Sequence, residues 1–99
     1  MGIESEAIWF DGEFVPFDEA KVHVLSHTLH YGLGVFEGIR AYEQPDGRAG
    51  IWRLRDHMRR FADSLDMVRW PSPYSVDALC QACVDTVARN GFASCYVRP

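Results

Sequence analysis

From Leu54 to Val87, apolar residues recur at helical spacing in two stretches divided by Trp70-Pro71-Ser72-Pro73. In the first, Leu54, Met58, Phe61, Leu65 and Val68 fall on one face, so the spacing predicts a helix near residues 55–68 with one buried side. In the second, Val76, Leu79, Cys80, Cys83, Val84 and Val87 stand at i, i+3, i+4, i+7, i+8 and i+11, the core face of an amphipathic helix. Ser75 is placed to cap that helix and Asn90-Gly91 to end it. Two one-sided helices joined by a rigid Pro-rich link must bury their stripes against each other or against a sheet.

The remainder supplies the sheet. Ile8-Trp9-Phe10 and Glu13-Phe14-Val15 flank Asp11-Gly12, a dipeptide that tolerates the positive φ angles of a two-residue type I′ turn, so a β-hairpin is expected. Pro16 ends or edges its second strand. Lys21 to Leu25 reads as a short strand, and Ser26 as the N-cap of a brief helix, Ser26 to Tyr31, broken by Gly32 and Gly34. Val35 to Tyr42 reads as a strand interrupted by Gly38. Gln44-Pro45-Asp46-Gly47 is a turn, and Ile51 to Leu54 its returning partner. Ser94 to Arg98 alternates as a last strand. This order predicts an α+β fold, an antiparallel β-sheet with helices packed on one face in two layers, as a single domain over residues 1–99. The chain stops at Arg98-Pro99, inside or just after a strand, so a fragment of a longer protein is expected.

Composition narrows the function classes. With 99 residues, 47% of them hydrophobic and 24% charged, the chain holds apolar material for a core. Its net charge of −4 argues against non-specific binding to nucleic acid or to an anionic membrane surface. No apolar run approaches the roughly 18 residues of a membrane span, and the N-terminal segment carries acids where a signal peptide carries bases. A cytoplasmic protein is the expectation. Cys80, Cys83 and Cys95 are an odd number, which suits a reduced compartment. Cys80 and Cys83 form a C-x-x-C, but in the middle of a helix, whereas a redox pair belongs at a helix N-terminus where the dipole lowers the thiol pKa. They are expected to be structural.

Few residues point to chemistry by spacing alone. Tyr96 and Arg98 lie two apart on a strand and share a face, opposite Cys95 and Val97. A hydroxyl beside a guanidinium fork suits a carboxylate or a phosphate; the alternative is a solvated outer face, and spacing does not choose between them. Gly32, Gly34 and Gly38 bracket a stretch where backbone can approach a ligand or simply bend, and their spacing is not that of a dinucleotide site. His23, His27 and His30 match no zinc spacing, so no metal is expected. His57 and Arg60, at i and i+3, are helix neighbours, and the arginine can reach an anion at the helix edge or stand in water. Lys21 is the chain's single lysine.

Taken together, several runs resemble the branched-chain amino-acid aminotransferases, pyridoxal-phosphate (PLP) enzymes of fold type IV. They are Ile8-Trp9-Phe10-Asp11-Gly12-Glu13, Ala20 to His27, Leu29-His30-Tyr31-Gly32, Val35-Phe36-Glu37-Gly38-Ile39-Arg40, His57-Met58-Arg59-Arg60-Phe61 and Tyr96-Val97-Arg98-Pro99. The resemblance covers nearly the whole chain and is weakest at 43–50 and 70–75. It implies that this stretch is the family's smaller N-terminal domain. It assigns Arg60 to the cofactor phosphate, with Arg59 the less favoured neighbour. It also assigns Tyr96 and Arg98 to substrate carboxylates, and Tyr31, Phe36 and Gly38 to the side-chain pocket. Part of that pocket is shared across a homodimer in the family, so Tyr31 is implied to serve the partner's site.

The same resemblance implies substrates, a branched-chain L-amino acid and 2-oxoglutarate, and places the family's catalytic lysine and its pyridine-pairing glutamate in a larger C-terminal domain. Lys21 matches a position outside that catalytic pair. No catalytic residue is therefore assigned here, and residues 1–99 alone are expected to be inactive. The His-Thr-Leu-His-Tyr-Gly and Glu-Gly-Ile-Arg runs favour the branched-chain group over D-amino-acid aminotransferases and aminodeoxychorismate lyases of the same fold type. The alternative from another class is a free-standing ligand-binding or oligomerisation module.

Overall fold

Asp11 and Gly12 take φ of 52° and 88°, both in the left-handed half of backbone space. That geometry joins β1 (Ala7–Phe10) to β2 (Glu13–Pro16) as an antiparallel hairpin in which Ile8 faces Val15 and Trp9 faces Phe14. The hairpin thus forms as the Asp-Gly pair dictates. The computed structural model describes residues 4–99. These fall into two units, one ending at Gly34 and the other running from Val35 to Pro99.

In the first unit, a single 3-10 turn (Phe17–Glu19) follows the hairpin, and the helix α1 (His27–Tyr31) comes after it. Ser26 occupies the N-cap position without a side-chain cap bond, and Gly32, at φ 64°, ends the helix by donating its N–H to the Thr28 carbonyl. The strand expected over Lys21–Leu25 is absent; the segment turns instead. The Leu25 N–H donates to His23 Nδ1 (3.0 Å), the Ser26 N–H to the His23 carbonyl (2.9 Å), and His30 Nε2 meets the Val24 carbonyl (2.7 Å). An imidazole that captures a backbone N–H two residues on bends the chain and removes the donor a strand would use. His23 and His30 therefore shape this loop, and His27 packs edge-on to Tyr31 at 5.6 Å.

The second unit is a three-stranded antiparallel sheet in the order β4-β3-β5, built from β3 (Ile39–Glu43), β4 (Ala49–Ile51) and β5 (Cys95–Val97). Ile39 pairs with Val97, Arg40 with Tyr96 and Ala41 with Cys95. Alternation decides the faces. Ile39 and Ala41 are buried, while Arg40, Tyr42 and Tyr96 are exposed on the other side. Helices α2 (Leu54–Met67) and α3 (Val76–Asn90) pack on each other, and α3 packs on β5, which gives the expected α+β arrangement with helices on one face.

Two boundaries and one buried stripe differ from the sequence expectation. Strand β3 begins at Ile39 and not at Val35, although the Glu37 N–H donates to the Pro99 carbonyl in continuation of the Ile39–Val97 register. Strand β4 ends at Ile51. Arg53 takes φ 52° and opens α2 at Leu54, so Trp52 to Leu54 are turn and helix. On α3 the buried stripe is Leu79, Cys80, Ala82, Cys83 and Val87, and Val84 faces outward at 44% exposure. The caps follow expectation: Ser75 Oγ accepts from the Ala78 N–H (3.1 Å), and Gly91 closes the helix at φ 70°. Burial drives the Cys83 thiol up to about 11, the reverse of a redox cysteine, with Cys80 adding to the effect. Among the described residues, no helix is long and apolar enough to cross a membrane.

Candidate functional site

Residues 36–38 lead into β3 and separate two side-chain clusters. Glu37 turns inward and is 4% exposed, whereas Phe36 is 62% exposed. Alternating direction along an extended segment sends neighbours to opposite sides.

The inward cluster is ionic. Glu37 Oε2 accepts from Arg60 Nε (2.8 Å), and Glu37 Oε1 accepts from Arg60 Nη2 (2.6 Å) and His57 Nδ1 (2.8 Å). The helical i, i+3 spacing that makes His57 and Arg60 neighbours is what lets both reach one carboxylate. Arg60's hydrogen bonds, and to a lesser degree His57's, hold the Glu37 carboxyl down at about 2, against the upward push of burial. Arg60 itself remains 68% exposed. Two of its five N–H groups are taken by Glu37, and three are left, two of them on the end edge of the guanidinium. Arg60 is thus both fixed and open, and able to hold an anionic group such as a phosphate.

The depressed pKa has a consequence for stability. Unfolded, the Glu37 carboxyl binds its proton near 4.5; folded, it does so near 2. Between those values the unfolded chain holds more protons, so the stabilisation is complete above pH 4.5, declines as pH falls, and is gone below about 2. Water reaches Arg60, so the contribution is on the order of 1–2 kcal/mol and not the full linkage value. The difference in urea midpoint between the wild type and Glu37→Gln is therefore expected to shrink from pH 7 to pH ~2.5. A difference constant over that range would mean that the pair does not couple proton binding to folding.

The outward cluster is aromatic and cationic. Arg98 Nη2 donates to the Tyr96 hydroxyl (2.8 Å), and the Arg98 guanidinium carbon lies 4.4 Å from the Phe36 ring centre and 5.4 Å from that of Tyr96. Arg40 also stands over Tyr96, 5.7 Å from its ring centre. Tyr96 accepts from Arg98 and keeps its own proton to donate outward. Gly38 completes the group by what it lacks. A Cβ there would lie 2.8 Å from the Tyr96 hydroxyl, closer than packed atoms come. Tyr31 belongs to the first unit, at the end of α1, 78% exposed. The structure thus gathers Phe36, Gly38, Tyr96 and Arg98 in one place, and puts Arg60 on the other side of the Phe36–Gly38 segment.

Residues 34–99 match the sequence pattern that defines the family Amino-transferase class IV. The chain belongs to that family. Its relatives include the branched-chain-amino-acid aminotransferase of Pseudomonas aeruginosa, 49% identical over 99 residues, which are 100% of this chain and 32% of the relative. Among solved structures, the branched-chain amino acid aminotransferase of Escherichia coli superposes with a TM-score of 0.92 at 45% identity, over 96% of this chain and 31% of that one. The branched-chain amino acid aminotransferase from Thermobaculum terrenum, in its PLP form, superposes with a TM-score of 0.86 at 34% identity, over 96% of this chain and 32% of that one. The chain spans about a third of the length of the relatives it matches.

Within this class IV chain, sequence reasoning overlooked Glu37 as a partner. It lies 20 residues from His57 and 23 from Arg60, and no local spacing links them. The available signal was an acid inside the apolar run Val35-Phe36-Glu37-Gly38-Ile39, a place where a carboxylate needs a cation. The stacking of Phe36 on Arg98 was equally out of reach of periodicity. Tyr96 and Arg98 on one exposed face were not, since a period of two requires it.

Proposed function

We propose that residues 1–99 form the N-terminal small domain of a cytoplasmic enzyme that moves the amino group between branched-chain L-amino acids and 2-oxoglutarate with the aid of PLP. The observation that carries this reading is the meeting of a guanidinium and aromatic rings at one point: Arg98, 4.4 Å from Phe36 and bonded to Tyr96. A branched-chain amino acid is a carboxylate joined to a bulky apolar group, and that pair of surfaces matches both halves. Names of relatives at 45–49% identity support the same substrate class.

Each residue has a physical role in this scheme. Arg60 binds the cofactor phosphate through the N–H groups that Glu37 leaves free. Arg98 and the Tyr96 hydroxyl orient the carboxylate, and Phe36 and the bare backbone of Gly38 accept the side chain. When bound, PLP supplies the electron sink and carries the amino group. Val22, Val24, Leu25, Leu29 and Tyr31 are 60–78% exposed, an apolar stretch suited to a subunit contact, and this supports a homodimer in which Tyr31 serves the partner's pocket. The catalytic lysine lies in the part of the enzyme that this chain does not span.

The test is a transfer assay on the full-length protein carrying this segment, with leucine, isoleucine or valine as donor and 2-oxoglutarate as acceptor. Glutamate formation that depends on added PLP is the expected result. Turnover of D-alanine alone, or of none of these donors, would overturn the reading.

A further inference from the structure

Among the described residues, Glu37 is the one buried polar side chain, and its charge is spent on an arginine that is itself 68% exposed. For stability alone such a pair is a weak device, since replacing both of its partners with well-packed apolar residues is often neutral. Its geometry suggests another use. A guanidinium has two bidentate edges, a side edge of Nε with Nη2 and an end edge of Nη1 with Nη2. Glu37 occupies the side edge with both oxygens, at 2.8 and 2.6 Å, which fixes the plane and direction of the group and leaves the end edge facing outward.

The carboxylate is held in turn. His57 Nδ1 bonds Oε1 at 2.8 Å, and the Glu37 N–H bonds the Pro99 carbonyl at 3.2 Å, next to the β3–β5 ladder. Ile39, two residues on, is fully buried. The arginine is thereby tied to the sheet as well as to its own helix. A long flexible cation would otherwise be ordered at the moment the ligand arrives, at a cost to affinity.

We propose that Glu37 is a positioning residue that presents the end edge of Arg60 to the cofactor phosphate. This rests on the reading of Arg60 as the phosphate anchor. The expected benefit is the ordering cost of one arginine, about two- to tenfold in affinity. It should fall on the phosphate alone, because Glu37 acts through Arg60, whose side edge it holds. In Glu37→Gln the amide keeps one acceptor and turns an NH₂ toward a donor of Arg60 or His57, so the two-bond clamp is lost.

The experiment titrates the apo form of the full-length protein with PLP and, separately, with pyridoxal, which lacks the phosphate, following cofactor absorbance. Phosphorus NMR of the bound PLP provides a second signal. Glu37→Gln is expected to weaken PLP about two- to tenfold, to leave pyridoxal unchanged, and to move or broaden the phosphorus resonance. Glu37→Asp keeps the charge but draws the carboxylate back by one methylene. It should show the same phosphate-selective loss, and it stands in if the glutamine variant does not fold. Equal weakening of PLP and pyridoxal in these variants would make Glu37 merely structural and overturn the proposal. So would unchanged PLP affinity in them while Arg60→Ala weakens PLP. If Arg60→Ala itself leaves PLP affinity unchanged, the anchor reading fails first, and the proposal with it.

Discussion

Met58→Ala is expected to destabilise the unit from Val35 to Pro99 by about 2–5 kcal/mol, the range for truncating a large buried side chain. Among the described residues, Met58 and Ile39 are the largest side chains with no effective exposure to solvent. Met58 sits on α2, and its sulfur receives the Cys83 thiol of α3 at 3.9 Å. Truncation therefore empties the seam between the helices and strands a buried thiol whose weak bond is lost. With α2, α3 and three short strands as its whole framework, this unit has little other packing to collapse into the gap. Hydrogen exchange of the α2 and α3 amides in the full-length protein reads the effect directly, because it reports the opening energy of these elements and not that of the rest. Met58→Leu, close in volume, is expected to cost less than about 1.5 kcal/mol. Equal losses in both variants would show that the sulfur contact and not the volume matters; a negligible loss in both would mean that the seam relaxes around either residue.

The same seam marks what could be read from sequence. Both helices follow from apolar spacing to within a residue or two, and Ser75 and Gly91 at the ends of α3 and Asp11-Gly12 in the hairpin turn fix local geometry through short-range physics. Errors arise where a distant or unusual partner overrides local preference. Lys21 to Leu25 alternates like a strand, but the His23 ring takes a backbone N–H and the segment turns. Val35 to Gly38 is apolar enough for a strand, but the regular strand starts at Ile39, and the Glu37 side chain reaches a helix 20 residues on. The candidate site divides in the same way. Tyr96 and Arg98 were legible because a strand's period places them together. The hold of Glu37 on Arg60 and of Phe36 on Arg98 required the fold, since those contacts join residues far apart in the chain.

Arg98→Ala, on the proposed reading, is expected to raise KM for both the amino acid and the 2-oxo acid about 10- to 100-fold, the worth of hydrogen bonds to a charged group. Both substrates bring a carboxylate to the same fork, so the two constants should move together. The carboxylate is held throughout the reaction, so kcat should change less than KM. Inhibition by a branched carboxylic acid with no amino group should weaken in parallel, because it tests the fork without the chemistry. Stability should hardly change, since Arg98 is exposed and its partners Phe36 and Tyr96 are exposed as well. Arg98→Lys separates charge from shape. A lysine keeps the cation but has neither the planar fork nor the flat face that lies 4.4 Å from Phe36. A partial loss in the lysine variant would therefore measure what the aromatic cradle adds to charge. Unchanged KM in the alanine variant would remove Arg98 from the substrate's path and leave the Tyr96 face as solvated surface, the alternative that strand spacing alone left open.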